Sequence, residues 1–458
     1  AENKESCLQR DSAERKGYVR AHRSFNRIWK ERDSAEPDIL GKILSKDNLN
    51  RAYKRVKANK GAPGVDGMTI EEAFPWLKEH SHELTERIRK GHYTPSPVRR
   101  VEIPKPDGGV RKLGIPTVTD RIIQQAISQQ LIPIYEPKFA EGSFGYRPER
   151  SAKDAVQRIK EYAEQGYTHA VTLDLSKYFD TLNHEMLLNI LRRNVKDERV
   201  IQWIKRYLKS GVMENGVVME TEEGSPQGGN ISPLLANIYL NELDSYIEEL
   251  KKEFDVRTPY RTTPAYHAIE RKRANLRRKI DRREAGPERD LLIAEYKKLT
   301  SELYKTPAKL CDDKKLKYVR YADDFLIAVN GSKQDCEWIK AKLTEFIQNT
   351  LKMELSQEKT LITHSNTPAR FLGYDVRVRR DQQVKPWKKC KQRTMNNTVE
   401  LLIPLQDKIE KFLLSKGIVK QRADNGKLEP TSRLSLLRHT DLEIVTVFDA
   451  ELRGICNY

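Results

Sequence analysis

The chain has 458 residues, of which 33% are charged, and a formal charge of +18 at neutral pH. That length exceeds one small core, and so large a basic excess points to a polyanionic partner, most simply nucleic acid. No run of about 18 apolar residues exists, so no membrane span is expected, and the charged opening stretch has no apolar signal-peptide core. Five cysteines (Cys7, Cys311, Cys336, Cys390, Cys456) are scattered without metal-finger spacing. They fit a reducing, intracellular compartment and argue against structural zinc.

Residues 1–41 are rich in Glu, Lys, Arg, Asp and Ser and read as a basic arm or extension that orders on a partner. Ser45 caps a predicted helix on which Leu49, Tyr53 and Val56 recur at helical spacing. A further amphipathic segment ends near Arg89. Pro97–Pro116 then alternates apolar and charged residues around Pro106-Asp107-Gly108-Gly109, which predicts a hairpin whose prolines mark edge strands. Its arginines and lysines suit a clamp on nucleotide phosphates.

Asp120–Ile134 reads as a helix, Ser143–Pro148 as an aromatic and basic loop, and Ser151 as the cap of a helix to about Glu164. Ala170–Asp174 is a buried strand that ends in a carboxylate. Helices follow from Glu185 to Leu208, then a hairpin over Val212–Met219, then a glycine-rich loop that opens a helix over Leu234–Leu250. Residues 251–315 are rich in Arg and Lys and helical from about Ala265 to Tyr304, an insertion with a basic surface.

Leu316–Arg320 and Phe325–Val329 flank Tyr321-Ala322-Asp323-Asp324, a predicted hairpin with two carboxylates at its tip. A helix over Cys336–Leu351 comes next, then strand-like Met353–Leu355 and Thr360–Ile362, and a strand over Ala369–Val376. Beyond Lys388 the chain reads as basic and helical: about 391–416, about 430–437, and from Asp441 onward. It stops inside an apparent helix, so a longer natural protein is expected.

Adjacent carboxylates are unfavourable unless a cation sits beside them. Mg²⁺ is hard, takes oxygen ligands and holds substrate phosphates as well. With Asp174 as a third carboxylate, the set suits two Mg²⁺ about 3.5–4 Å apart, an arrangement for in-line nucleotidyl transfer.

Asp174–Asp180 (DLSKYFD), Ser225–Gly229 (SPQGG) and Tyr321–Asp324 (YADD), in that order, resemble the palm motifs of reverse transcriptases. Arg99–Lys105 (RRVEIPK), Leu113–Pro116 (LGIP), Gly145–Pro148 (GYRP), Ser232–Ile238 (SPLLANI) and Phe371–Tyr374 (FLGY) narrow the resemblance to group II intron-encoded proteins. The 251–315 insertion and the ending Glu451–Tyr458 are similar to the lactococcal-type branch.

The resemblance implies an α+β right-hand polymerase: fingers over residues 42–150, then a palm with an antiparallel sheet and the remaining fingers over 151–388. A helical thumb and the start of the maturase region would occupy 389–458. It implies that Asp174, Asp323 and Asp324, with the Leu175 carbonyl, hold two Mg²⁺, Asp324 being the less direct ligand. Lys105, Arg111, Gln227 and Gly228 would meet the incoming dNTP, with Phe179 under its sugar to exclude a 2′-OH. Lys359 is a candidate general acid toward pyrophosphate. Phe371, Leu372, Gly373, Tyr374 and Arg147 would meet primer and template.

The implied partners are a group II intron RNA, an RNA template with a DNA primer, and a DNA target. The implied location is a bacterial cytoplasm, and the oligomeric state stays open. No His/Cys cluster is left for an endonuclease metal. The rival readings are a catalytically idle splicing factor and a related reverse transcriptase in another role; Phe179 and the YADD stretch argue against an RNA-dependent RNA polymerase.

Overall fold

A computed structural model describes the chain from Asp38 to Cys456, apart from residues 105–108, 177, 180, 215–216, 220–227, 258–260, 307, 311–312, 357, 380–383, 388–389, 394–397 and 423. Elements are numbered here in chain order. Three helices open it: α1 (Ile39–Ile43), α2 (Lys46–Ala58) and α3 (Ile70–Arg89). Ser45 caps α2 as expected, and Thr69 and Glu72 form a capping box on α3, each satisfying backbone donors that the helix itself leaves free.

The expected hairpin forms from β1 (Val98–Pro104) and β2 (Val110–Ile115), paired from Arg99↔Ile115 to Pro104↔Val110. Only β2 is an edge. At Val98 and Arg99, β1 also pairs in parallel with β4 (Val212–Glu214), which continues to β5 (Val217–Met219) in the order β2-β1-β4-β5. This corrects the edge expectation for β1: Pro104 sits at its far end, away from Val98 and Arg99 where β4 pairs, and so removes no donor from the ladder with β4.

The hairpin is rooted on α4 (Val118–Tyr135). There the buried Asp120 carboxylate accepts from the Tyr93 hydroxyl at 2.7 Å, the Thr117 hydroxyl at 2.7 Å and the Ser96 amide at 3.2 Å. Burial raises this carboxyl's pKa even so, the three donors working the other way.

The central sheet has the order β10-β3-β9-β8, all antiparallel, from β3 (His169–Asp174), β8 (Lys315–Tyr321), β9 (Asp324–Asn330) and β10 (Leu361–His364). On β9 the two faces enter different cores. Phe325, Ile327 and Val329 join a large cluster, with α6 (His184–Asn194), α7 (Glu198–Leu208), α8 (Ser232–Phe254) and α11 (Lys333–Asn349). Leu326 and Ala328 join a second cluster with α5 (Ala152–Glu164). A strand covered on both faces reads as an unbroken apolar run, which is why β9 shows no alternation.

The insertion is a helical hairpin, α9 (Pro264–Asp281) and α10 (Pro287–Lys305), on a neck formed by β6 (Arg261–Thr262) and β7 (Lys309–Leu310). Leu276 and Leu303 are its only fully buried residues among those described.

Two expectations give way beyond β10. Ala369–Val376 is not one strand but a hairpin of β11 (Ala369–Phe371) and β12 (Tyr374–Arg379). Leu372 and Gly373, at φ +47° and +80°, make its two-residue turn, the backbone that matches strand twist. Residues 391–416 are not continuous helix either: β13 (Val384–Trp387) pairs with β14 (Cys390–Arg393), and β15 (Thr398–Leu402) pairs with β12. Val399 on β15 is buried with Val376 and Val378, so tertiary packing overrides the charge-rich local pattern.

Helix returns at α12 (Lys411–Ser415) and, after the hairpin β16 (Val419–Gln421) and β17 (Leu428–Pro430), at α13 (Asp441–Cys456). The helix expected at 430–437 is reduced to the single turn Leu434–Leu436. Among the described residues no helix is long and apolar enough to cross a membrane.

Candidate active site

Strand register brings the three carboxylates to one end of the central sheet. Asp174 is paired with Asp324 across β3 and β9, and Tyr321 with Asp324 across β8 and β9, which leaves Ala322 and Asp323 as the two-residue turn. Ala322 has φ +56°, the left-handed region that disfavours a residue with a Cβ. Acidic residues facing each other across strands repel. The Asp324 carboxyl is accordingly pushed up to about 6, first by the protein crowded around it and then by Asp323 and Asp174, while Lys359 pulls it down. Its side chain still opens to solvent on one side.

Lys359 Nζ lies 3.3 Å from Asp174 Oδ2. The segment before it is tied to the strand end: Leu175 bridges Leu355, the Ser176 amide donates to Glu354 O at 2.9 Å, and the Ser356 amide donates to Asp174 O at 2.9 Å. The strand expected at Met353–Leu355 is this one bridge.

Carboxylates and a main-chain carbonyl are hard oxygen donors, and the repulsion between the carboxylates is what a divalent cation would offset. Among the described residues no three His, Cys, Asp or Glu side chains gather closely enough to hold an ion unaided.

The surroundings of the turn are close-packed. A Cβ on Gly145 would lie 2.3 Å from the Ala322 amide nitrogen, so the 143–148 loop lies flat against the turn. Tyr146, exposed and at φ +56°, sets its ring 6.4 Å from that of Tyr321. The placement of Arg147 differs from the primer or template contact expected for it. Its guanidinium is buried and donates to Glu136 Oε1 at 2.7 Å, Ala140 O at 2.7 Å and Ser143 O at 2.8 Å. With its donors taken up this way, Arg147 shapes the loop that presents Tyr146.

Phe179 is half-buried with its ring 5.0 Å from Tyr178, whose hydroxyl donates to Ala236 O at 2.8 Å. Gly228 has φ +121°, and a Cβ there would meet Gly114 O at 2.4 Å, so Gly228 rests on β2. Arg111 lies on β2 opposite Ile103. Its side chain, like all of Lys105 and Gln227, lies outside the described residues. In the Phe371–Tyr374 turn, Phe371 is buried in the second core and Tyr374 packs beside it.

The sequence reading missed Arg320, Asn237 and Asp244, which meet beneath the turn. An arginine inside the apolar run Tyr318-Val319-Arg320-Tyr321 was a signal that a buried partner must exist.

The reverse transcriptase (RNA-dependent DNA polymerase) family matches residues 103–258 and 294–376. The group II intron-encoded protein LtrA of Lactococcus lactis subsp. cremoris is 45% identical over 418 residues, which cover 91% of this chain and 69% of that protein. Protein YkfC of Escherichia coli is 34% identical over 342 residues, 73% of this chain and 82% of its own length. The COX1/OXI3 intron 1 protein of Saccharomyces cerevisiae is 31% identical over 432 residues, 92% of this chain and half of that protein. On its motifs, the pairing of Asp174 with Asp324 beside the Asp323 turn and these relatives together, the chain belongs to the group II intron-encoded reverse transcriptases and is an RNA-directed DNA polymerase of right-hand α+β fold.

Proposed function

We propose that this chain extends a DNA primer on an RNA template with two Mg²⁺ held by Asp174, Asp323 and Asp324, and that it binds a group II intron RNA to assist its splicing and its insertion into a DNA target. The observation that carries the reading is the register that sets Asp174 opposite Asp324 with Asp323 in the adjoining turn.

Bound divalent cations would lower the pKa of the primer 3′-OH and offset charge on the triphosphate. In the step itself the 3′-OH gives up its proton to solvent, its oxygen bonds to the α-phosphorus, the bond from that phosphorus to the oxygen bridging to the β-phosphate breaks, and pyrophosphate leaves with the electron pair. Asp174 and Asp323 act as the principal carboxylate ligands, the Leu175 carbonyl adds an oxygen, and Asp324 completes the negative field. Lys105 and Arg111 orient the triphosphate, Gln227 meets the nucleotide, and Gly228 lets the backbone approach it beside β2. The Phe371–Tyr374 turn supports the primer end. Lys359, already on Asp174, is the candidate proton donor to the leaving pyrophosphate.

In this reading residues 42–150 are fingers, 151–388 the palm with the remaining fingers, and 389–458 the thumb and the start of the maturase region, with the basic α9–α10 hairpin as one RNA-binding surface.

Primer extension on an RNA template tests it. Wild type should make full-length DNA with Mg²⁺ and dNTPs, and Asp323→Asn should lose at least about a hundredfold in rate. If both proteins are silent yet bind structured RNA tightly, the splicing-factor reading replaces the polymerase. The same assay with ribonucleotides tests the sugar contact. Phe179→Ala should raise ribonucleotide use relative to dNTPs about tenfold, the scale of a steric pocket contact. An unchanged ratio removes Phe179 from that role.

A further inference from the structure

Arg320 stands two residues before the left-handed Ala322, and its side chain and that of Asp244 are both fully buried. Its Nε donates to Asp244 Oδ1 at 2.8 Å and its Nη2 to Asp244 Oδ2 at 2.6 Å, a two-pronged ion pair with α8. Its Nη1 is shared between Asn237 Oδ1 at 2.7 Å and the Ala322 carbonyl at 3.2 Å.

The same residues hold the neighbouring loop. Asn237 Nδ2 donates to Gly145 O at 2.6 Å. The Arg320 amide donates to Gly142 O and the Phe144 amide to Arg320 O, each at 2.8 Å. The guanidinium therefore joins the turn that carries Asp323 to the helix beneath it, while Asn237 and the Arg320 main chain tie in the Tyr146 loop beside it.

Stability is a poor reason for such a device. Taking two charges out of water offsets most of their attraction, and apolar packing often does as well. An apolar side chain could fill this space, but it could not hold the Ala322 carbonyl. That carbonyl belongs to the peptide that leads into Asp323, in a backbone conformation a Cβ disfavours.

We propose that Arg320, neutralised by Asp244 and aimed by Asn237, is a positioning residue that fixes the Ala322–Asp323 peptide so that the Asp323 carboxylate is set for divalent-cation binding. The inference rests on the polymerase reading above and deepens it. Neutralisation by Asp244 is part of the design: a lone guanidinium below the turn would compete with the cation for the carboxylates, whereas a paired one is nearly silent beyond its contacts.

The test uses the full chain with Arg320→Lys, which keeps the charge but loses the fork, and Asn237→Ser, which keeps the ion pair but loses its aim. Three quantities are read: thermal unfolding, Mn²⁺ affinity by electron paramagnetic resonance, and the Mg²⁺ dependence of extension rate. Asn237→Ser should unfold within about 3 °C of wild type. Its Mn²⁺ affinity and its rate at saturating Mg²⁺ should each fall about tenfold, as expected for a slightly misplaced ligand. Primer–template affinity measured in EDTA should stay at the wild-type value.

Arg320→Lys should show the larger cation defect; if it does not fold, Asn237→Ser decides alone. Wild-type Mn²⁺ affinity and Mg²⁺ dependence in folded Asn237→Ser overturn the proposal. So does a loss in every assay that only tracks the unfolded fraction. An inactive wild type would instead overturn the polymerase reading, so the two failures are distinguishable.

Discussion

Asp324 shows how a residue can be placed against its own preference. Above pH 6 it is charged, and the folded state bears first the cost of shielding that charge from water and then its repulsion by Asp323 and Asp174. Because its folded pKa lies above that of a free carboxyl, this penalty is full above about 6 and fades as pH falls toward the ordinary range. Removing the charge at pH 7.5 should therefore stabilise the metal-free protein. Asp324→Asn should raise the metal-free Tm by about 2 °C, close to 1 kcal/mol, and should shrink the further rise that saturating Mg²⁺ gives wild type. Differential scanning calorimetry with EDTA and with Mg²⁺ checks both parts. A lower Tm in EDTA would mean that Asp324 makes a stabilising contact which outweighs the repulsion. At this scale the acids were legible, because an Asp-Asp pair between two apolar strands has few uses. Arg320 was not assigned, because its partner Asp244 is 76 residues away in sequence and no spacing rule links them.

At the scale of elements, local pattern was informative wherever a single local cause decides. Ser45 and Ser151 cap helices through side-chain oxygens a few residues from the donors they satisfy, and such signals survive in any tertiary setting. The turn at Leu372–Gly373 was hidden for the converse reason. A leucine at φ +47° gives none of the Asn or Asp signal that usually marks such turns, and its conformation is fixed by Phe371 and Val376 packing into the second core. The same core explains β15: Thr398–Leu402 follows a charge-rich stretch, and only pairing with β12 shows its strand character. What stayed illegible shares one property, dependence on contacts made far along the chain. The Ala322–Asp323 turn itself has both kinds of support, a readable strand pattern and an unreadable clamp beneath it.

For the whole molecule, the +18 charge is not spread evenly. Arg271, Lys272, Arg277, Arg278, Lys279 and Arg282 are all exposed on and just beyond α9, on a helical hairpin that buries little of itself. The hairpin leaves the body through neighbouring strands, since Arg261 pairs with Leu310 and Thr262 with Lys309. Its two ends are thus already adjacent, and replacing residues 264–305 with a short Gly/Ser linker should leave the central sheet and its carboxylates in place. If the hairpin grips intron RNA by its phosphates, each lost contact removes about 0.7–0.9 from the slope of log affinity against log salt. The deletion should reduce that slope by at least about 2 and weaken structured-RNA binding at least about tenfold in 150 mM salt. Extension of a short primer on an unstructured RNA template should continue at the wild-type rate. Filter binding across a salt series, run beside the extension assay, reads both. An unchanged slope would assign the basic surface to solvation alone. A matching loss of short-template extension would show instead that the hairpin supports the polymerase core.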